Sequence, residues 1–299
     1  MGNKKNKRIN RRHLIQALGT LAVNGNLKGF IEGKIYTGAG KKVCVPVLNC
    51  YSCPGAVASC PIGSIQASIS DGNPKFNFPT YALGLTILFA ILAGRFFCGY
   101  ICPFGFFQDL LDKIPFFKIK IPKKLNSVLN MLRYVVLVVF VFLLPFFLQD
   151  AYGFTDPYFC KYLCPAGTLF AALPLMAINE WLRAAAGTLF TSKLVISGFI
   201  ILLSTFVYRP FCRFLCPLGA LLGIFNPISF YKLRINPDKC VKCKKCLRTC
   251  KLDIPTYLTP NSHNCIRCDE CVHACPYNAI EKECFGIKLG DIKQKEGRG

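Results

Sequence analysis

The chain has 299 residues, and its hydrophobic fraction of 53% accompanies a formal net charge of +22 at pH 7 and 19 cysteines. A small secreted disulfide scaffold is excluded, because such chains are short and largely polar. The basic residues flank apolar segments, which favours the positive-inside bias of a membrane protein over a nucleic-acid-binding surface. Only three histidines occur, and none lies in a clear apolar span, which argues against haem ligated by membrane helices.

Three stretches, 79–97, 132–149 and 193–208, are predicted membrane helices, since each is near the ~20 residues that cross a hydrocarbon core. A fourth stretch, roughly 13–31, is less apolar and is also compatible with an amphipathic helix on the membrane surface. The lysine-rich segment 113–124 follows the first of the three, so we expect it in the cytoplasm. With the basic N-terminus also inside, the chain is predicted to cross about four times and to leave its C-terminal part in the cytoplasm.

The pattern F-C-x3-C-P-x-G occurs three times near the ends of predicted spans, and a looser copy lies upstream. Two cysteines four residues apart occupy one face of a helix, and proline suits the first turn of a new short helix. Two such pairs brought together would make a site of four thiolates. The cysteine pairs are, in chain order, Cys53 (or Cys50) with Cys60, Cys98 with Cys102, Cys160 with Cys164, and Cys212 with Cys216.

The predicted topology decides which pairs meet, and we hypothesise one iron–sulfur cluster at each membrane face. The inner-face site would take Cys98, Cys102, Cys212 and Cys216, and the outer-face site would take Cys53, Cys60, Cys160 and Cys164, with Cys50 as the alternative to Cys53. Arg95 and Arg209 each precede an inner pair by three residues, and they either offset the charge of an anionic cluster or snorkel at helix ends. A zinc site, an outer disulfide and cysteine as a small packing residue are the alternatives to clusters.

From about residue 233 the apolar runs stop, and a polar, cysteine-rich soluble domain is predicted. A run with the spacing C-x2-C-x2-C-x3-C occurs twice, 25 residues apart, which is the spacing of bacterial ferredoxins with two [4Fe–4S] clusters. The fourth cysteine of each run is expected to ligate the cluster of the other run. Structural zinc sites are the alternative, although their C-x2-C pairs usually stand further apart. One cluster is thus assigned to Cys240, Cys243, Cys246 and Cys275, and the other to Cys265, Cys268, Cys271 and Cys250.

The triple F-C-x3-C-P pattern followed by a two-cluster ferredoxin resembles the NapH-type membrane polyferredoxins. These are related to quinol dehydrogenase subunits of periplasmic nitrate reduction and to NosR, the regulator of nitrous-oxide reduction. The resemblance covers residues 98–275. It implies a prokaryotic cytoplasmic membrane, [4Fe–4S] clusters and membrane electron transport, but not a particular donor or acceptor.

We therefore predict a mainly α polytopic membrane domain over 1–232, with short helices after the C-P-x-G motifs. An α+β ferredoxin domain is predicted over 233–285 and a flexible basic tail over 286–299. Two [4Fe–4S] clusters are expected in the ferredoxin domain and up to four in the chain. Cys44 and Cys284 have no assigned role.

The predicted function is electron transfer between an outer-face or quinone donor and a cytoplasmic carrier. A quinol dehydrogenase subunit is one alternative, and a redox sensor or metal-site maturation factor is another. No dinucleotide-binding loop or P-loop is found, so we expect an electron-transfer component that needs partners rather than a complete oxidoreductase. The expected partners are redox proteins, including an acidic cytoplasmic carrier, together with quinone and membrane lipid, but no nucleic acid.

Overall fold

A computed structural model describes residues 2–70, 79–119, 121–152 and 154–288. These ranges are rich in helix, and their sheet lies near the C-terminus. The helices of the first part are α1 (Gly2–Val23), α2 (Leu27–Glu32), α3 (Pro61–Ile69), α4 (Thr80–Ala93), α5 (Phe96–Tyr100) and α6 (Pro103–Leu111), with a 3₁₀ turn over Ala39–Lys42. The helices of the second part are α7 (Lys123–Val136), α8 (Leu144–Phe147), α9 (Leu173–Ile178), α10 (Glu180–Ala184), α11 (Thr188–Phe206), α12 (Pro210–Phe214), α13 (Pro217–Ile224), α14 (Lys245–Thr249) and α15 (Glu270–Ala274). Three π-helical segments cover Leu137–Leu143, Phe159–Leu163 and Gly167–Ala172.

Two helices of the described ranges are long and apolar enough to cross a membrane, Lys124–Phe147 and Thr188–Phe206. Both fall on predicted spans. The predicted span at 79–97 is interrupted, because Gly94 adopts a left-handed φ of 54° and ends α4 after 14 residues. The predicted N-terminal span at 13–31 is divided between α1 and α2. Length and composition therefore support two crossing helices, and the prediction of about four is not confirmed.

A short helix begins at the proline of each C-P-x-G motif. Pro61, Pro103 and Pro217 are the first residues of α3, α6 and α13, where the fixed φ of proline suits a helix and its missing N–H is not needed. Pro165 also begins a helical segment, which continues as a π-helix. The cysteine before each proline consequently lies at a helix N-terminus.

Aromatic side chains fill the space between these short helices. Phe104 of α6 is buried and meets Phe211 of α12 edge-to-face, with ring centroids 5.1 Å apart. Phe104 also contacts Phe170, at 6.1 Å between centroids. Helix α1 lies along α5 and α6, and Gly19 permits this approach because a Cβ there would lie 3.1 Å from the Cα of Ile101.

The C-terminal part contains an antiparallel sheet in the order β1–β2–β3, formed by Tyr231–Ile235, Ile280–Cys284 and Ile287–Lys288. The register pairs Tyr231 with Cys284 and Ile235 with Ile280. The sheet begins two residues before the predicted domain start at 233, and β3 lies within the predicted tail. The rest of that tail, 289–299, is outside the described residues.

The ferredoxin part is held against the end of α4 by arginines that donate to backbone carbonyls in both directions. Arg267 of the ferredoxin part donates to the carbonyl of Ala93 at 3.0 Å. In return, Arg95 donates to the carbonyls of His263 and Asn264, both at 3.2 Å. The two parts pack closely at Gly99, where a Cβ would lie only 2.4 Å from the Ile266 carbonyl oxygen. The ferredoxin part is therefore docked directly on the helices.

A buried carboxylate, Asp109 of α6, joins α1 to the segment that precedes α12. Arg209 forms a two-pronged ion pair with it, at 2.7 and 2.6 Å, and Arg12 donates to it at 3.0 Å. Burial alone would raise the pKa of Asp109, but the two guanidinium groups hold it well below its usual range. The carboxylate is therefore ionised in the folded protein at neutral pH.

Replacing Asp109 with Asn should destabilise the protein by about 3–5 kcal/mol, because it leaves buried guanidinium charge without a partner. Its folded-state pKa is depressed, so this contribution is present above the unfolded pKa and is lost as pH falls through the folded one. The control is Asp156→Asn, which removes a partly exposed ion pair with Lys161 and should cost under about 1 kcal/mol. Denaturant unfolding in detergent measures both variants, and equal losses would contradict the prediction.

Candidate metal centres

The eight ferredoxin cysteines line two small cavities of about 20 Å³ each. The fourth cysteine of each run, Cys250 or Cys275, lies with the triplet of the other run. This is the crossed grouping that the spacing predicts. The first cavity is lined by Cys240, Cys243, Cys246 and Cys275, and the second by Cys250, Cys265, Cys268 and Cys271.

The backbone around the two triplets repeats the same left-handed turns, although the residues are not glycines. Lys242 and Lys244 in the first run, and Arg267 and Asp269 in the second, have φ between 51° and 61°. Such turns direct backbone N–H groups toward sulfur, as in the 3.4 Å contact from Arg267 N–H to Cys265 Sγ. The strained conformation therefore preorganises donors for anionic ligands.

The two ferredoxin cavities differ in exposure and charge. Cys243 of the first is exposed. The lysines that line this cavity are Lys239, Lys242, Lys244 and Lys245. The lining of the second cavity also includes Tyr208, two residues after the end of α11. Burial raises the pKa of Cys250 to about 11 and that of Cys271 to about 12, so both are neutral thiols until a metal displaces their protons.

The predicted inner cysteines lie together in the structure. Cys98, Cys102, Cys212 and Cys216 are all buried. Electrostatic interactions join Cys212 to Cys98 and Cys102, and Cys216 to the same two residues. Gln108 of α6 donates to Cys212 Sγ at 3.0 Å.

The glycine of each C-P-x-G motif donates its backbone N–H to the cysteine sulfur three residues earlier. Gly219 donates to Cys216 Sγ at 3.3 Å. The other pairs with this interaction are Gly63 with Cys60, Gly105 with Cys102, and Gly167 with Cys164. The cysteine thus occupies the position of a helix N-cap, where a sulfur anion is favoured by a free N–H and the helix dipole.

In the inner motifs the glycines also make room for arginine, and the two motifs exchange these arginines. Arg95, from the first motif, donates to the Cys212 carbonyl of the other motif at 3.0 Å and lies 3.0 Å from where a Cβ of Gly219 would be. Arg209, from the other motif, donates to the Cys98 carbonyl at 2.7 Å and packs against Gly105. This pseudo-symmetric exchange holds the two cysteine pairs at one site.

The outer cysteines line a cavity of about 720 Å³, and here the structure differs from the predicted set. Cys50, Cys60, Cys160 and Cys164 line this cavity, together with Lys161 and Lys193. Cys53 does not line it. Its thiol instead contacts Asn24 Oδ1 at 3.6 Å, and Cys53 packs with Ala56 and Ala171. By its position at this cavity, Cys50, the alternative assignment, belongs to the candidate outer set in place of Cys53.

The inner and outer sets are neighbours. The backbone of Leu48 interacts with the Cys102 sulfur of the inner set, and the backbone of Asn49 interacts with the Cys60 sulfur of the outer set. Consecutive residues are ~3.8 Å apart, so these two sulfurs lie within roughly 12 Å of each other. The segment before Cys50 therefore enters the helix bundle and carries the outer cysteines close to the inner ones.

No group of three or more His, Cys, Asp or Glu side chains in the described ranges is close enough to hold a single metal ion. A [4Fe–4S] cluster does not require that closeness, because each thiolate binds a different iron atom of the cubane. The chemistry of the donors fits such a cluster, since four thiols converge at each of the four sites. Unpartnered guanidinium N–H groups of Arg95 and Arg133 lie buried beside the inner site, where an anion would be favoured.

Sequence analysis did not identify several residues of these sites. Arg133, Arg267 and Asp109 are buried contributors that no motif marks. Arg133 carried one usable signal, a charge within a predicted membrane helix, which is rare unless it has a partner. No sequence signal indicated that Leu48 lies near both the inner and the outer cysteine set, because this proximity depends on how a loop folds back.

A family model described as a 4Fe–4S binding domain matches three segments, 82–124, 131–183 and 189–236, each of which contains one F-C-x3-C-P-x-G motif. A second 4Fe–4S binding domain model matches 259–281, which contains the second ferredoxin run. The chain is a 4Fe–4S binding protein. Its ferredoxin domain at the C-terminus and its helix-rich character are confirmed by these matches and by the fold.

An uncharacterized protein of Methanocaldococcus jannaschii is 35% identical over 178 residues, which are 58% of this chain and 65% of that protein. The putative electron transport protein YccM of Escherichia coli is 25% identical over 56% of this chain and 44% of its own length. The regulatory protein NosR of Stutzerimonas stutzeri is 25% identical over 58% of this chain and 22% of its own length. The chain thus spans less than two thirds of these relatives. No solved structure matches it significantly.

The contacts at the motif glycines predict different responses to the same substitution. Gly105→Ala should destabilise the protein by about 1–3 kcal/mol, because a Cβ there would lie 3.0 Å from the Cys98 carbonyl oxygen and 3.2 Å from the Arg209 guanidinium. Gly63→Ala, at the same motif position, should be neutral or stabilising by up to about 1 kcal/mol, since no described atom lies within 4 Å. Denaturant midpoints compare the two, and equal effects would contradict this reading.

The positions of Cys50 and Cys53 predict different effects on iron content when each is replaced with serine. Cys50→Ser should lower the iron content of anaerobically purified protein by about four atoms per chain, because Cys50 lies at the outer thiol cavity. Cys53→Ser is the matched control and should retain its iron, because the Cys53 thiol faces Asn24. Iron loss only in the Cys53 variant would restore the original assignment.

Proposed function

We propose that the chain passes electrons across the membrane between an outer-face or quinone donor and a cytoplasmic carrier, using up to four [4Fe–4S] clusters. The observation that carries this proposal is that 16 of the 19 cysteines fall into four sets of four, each set at one cavity or one buried site. Bound clusters would supply one-electron carriers at these sets. The relative YccM, named a putative electron transport protein, supports the proposal.

The four sets follow one another in a continuous row. The backbone of Leu48 and Asn49 connects the outer set to the inner set. Arg95 connects the inner set to the second ferredoxin set, because it binds the Cys212 carbonyl on one side and the carbonyl of Asn264, beside Cys265, on the other. Within the ferredoxin part, the crossed cysteines join the second set to the first, and Cys246 packs against the Cys271 region.

The two ends of the row suit different partners. At the ferredoxin end, Cys243 is exposed within a ring of lysines, which favours an acidic redox carrier. At the other end, the outer cavity is far larger than the two ferredoxin cavities, about 720 Å³ against about 20 Å³. That space supports access for a donor, and quinone is one candidate. The direction of flow is not part of this proposal.

We further propose a multi-pass arrangement in a prokaryotic cytoplasmic membrane, with the ferredoxin domain in the cytoplasm. The helices Lys124–Phe147 and Thr188–Phe206 support crossing, and the lysine-rich segment 113–124 and the basic tail support the orientation. Interrupted helices such as α1 and α4 would complete about four spans, packed around the short motif helices. The division into a membrane domain over 1–232 and a ferredoxin domain over 233–285 belongs to this proposal.

Two alternatives keep the clusters but change the role. A quinol dehydrogenase subunit would oxidise quinol at the outer cavity and pass reductant to a partner. A redox sensor or maturation factor would use the same sites without steady turnover, and the name of NosR as a regulatory protein favours keeping this alternative. Reduction of the purified protein by a quinol would support the first, and failure of any quinol or protein donor to turn over would support the second.

Iron and acid-labile sulfide per chain, measured on anaerobically purified protein, test the proposal. We expect near sixteen of each for four clusters, and about four fewer in Cys212→Ser/Cys216→Ser, which removes half of the inner set. The control is Cys44→Ser, whose thiol contacts Ser64 and belongs to none of the four sets. A count near eight in the wild type would leave only the ferredoxin clusters and overturn the continuous row.

A further inference from the structure

A layer of arginines separates the inner thiol set from the second ferredoxin set. This arginine layer consists of Arg95, Arg133, Arg209 and Arg213, which line one cavity with Cys212 of the inner set and with Leu252, Asn264 and Ile266 of the ferredoxin part. All four side chains are buried, three of them 1% exposed. Burying that much like charge without compensation is costly.

Described carboxylates pair with only two of the four arginines in the layer. Arg209 is paired with the buried Asp109, and Arg213 contacts the partly exposed Asp253 at 3.1 Å. Arg95 bonds to backbone carbonyls, and Arg133 bonds to Asn264 Oδ1 and to the Tyr134 hydroxyl. Neither Arg95 nor Arg133 forms an ion pair with any described carboxylate. The layer therefore carries about two uncompensated positive charges.

The cavity inside the layer is too small for a separate counter-ion. Its volume is about 10 Å³, and one water molecule already needs roughly 10–15 Å³. A phosphate or sulfate ion cannot enter. Among the residues that line this cavity, Cys212 of the inner set is the one whose side chain can carry compensating negative charge.

Of the two arginines without a carboxylate partner, Arg133 has the more unused hydrogen-bonding capacity, and it lines the same cavity as Cys212 of the inner set. Its Nε and Nη1 atoms are buried and have no hydrogen-bond partner in the described ranges, whereas Arg95 has only Nε free. Arg133 also interacts electrostatically with Cys216. Its third nitrogen, Nη2, is held by Asn264 at 2.5 Å and by Tyr134 at 3.1 Å, which fixes the direction of the guanidinium plane.

We propose that Arg133 is a positioning residue that makes the inner site easier to reduce, by presenting its charge and free N–H groups to the thiolates of Cys212 and Cys216. This rests on the proposed inner cluster. A positive charge in a low-dielectric site favours whichever state of a neighbouring group is more negative, and that is the reduced one. Asn264 couples this effect to the docking of the ferredoxin part, because Asn264 belongs to that part and orients the guanidinium.

The test is an EPR-monitored redox titration of purified protein carrying all its clusters. Arg133→Met should shift the reduction equilibrium of the inner cluster about tenfold toward the oxidised state, a midpoint about 59 mV lower for a one-electron couple. Arg133→Lys keeps the charge and should retain most of the wild-type midpoint. The first ferredoxin cluster, at the far end of the row, should not move. Arg183→Met is the matched control, since it removes an exposed arginine paired with Glu180, and its midpoints should equal the wild type.

The inner signal is assigned by its absence from Cys212→Ser/Cys216→Ser. If the wild type lacks that signal, the proposed function fails, and this inference with it. If the signal is present but Arg133→Met leaves its midpoint unchanged, only this inference is overturned. Loss of the inner cluster from Arg133→Met but not from Arg133→Lys would support it, because the charge is then what the site requires. Loss from both variants would assign Arg133 a purely structural role.

Discussion

The folded arrangement depends on buried guanidinium groups that donate to backbone carbonyl oxygens and, at Asp109, to a buried carboxylate. Arg95 and Arg209 each reach across to the first cysteine of the other inner motif, and Arg267 reaches from the ferredoxin part to the end of α4. Every such contact crosses between elements distant in sequence. Arginine suits this task because its planar fork donates several hydrogen bonds in fixed directions while it remains charged. The same side chains therefore fix the geometry of the thiol sets and supply positive charge beside them.

A single local unit, C-P-x-G, is used at four places with two different surroundings. In each copy the proline begins a short helix and the glycine N–H interacts with the cysteine sulfur at its N-terminus. At the inner site the glycine also leaves space for an arginine. At the outer site Gly63 faces open space, and Gly167 lies near Cys50 and Lys193. The inner site is thus closed and rich in arginine, whereas the outer one is an open cavity with lysines.

Direct docking of the ferredoxin part distinguishes this protein from one that carries its ferredoxin on a flexible tether. Close approach at Gly99, and carbonyl contacts made from both sides, keep the second ferredoxin set beside the inner set without a large movement. The accessible end is the first ferredoxin set, whose Cys243 is exposed among lysines. A fixed interior and an accessible end are what a relay between two separate partners requires.

The predictions that rested on local spacing agree with the structure. The prolines begin helices because that depends on residues within one turn. The crossed ferredoxin cysteines also lie in two cavities, although Cys240 and Cys275 are 35 positions apart, because the repeated spacing is itself typical of two-cluster ferredoxins. The four-thiol inner grouping also followed from sequence, once a topology was assumed. The 4Fe–4S assignment itself was readable from these motifs.

Sequence by itself thus determined the cofactor type, the ferredoxin character of the C-terminal part and the two long apolar helices. Tertiary structure decided what depends on chain reversals and long-range charge. It placed Cys50 at the lining of the outer cavity and the Cys53 thiol against Asn24, which the spacing of the cysteines left open. It ended the helix of the predicted span 79–97 at Gly94, where a left-handed glycine without a Cβ leaves space for the side chain of Asn226. It also assembled the arginine layer from α4, α7 and α12 and their flanks, since the partner of a buried charge can lie more than 100 residues away along the chain.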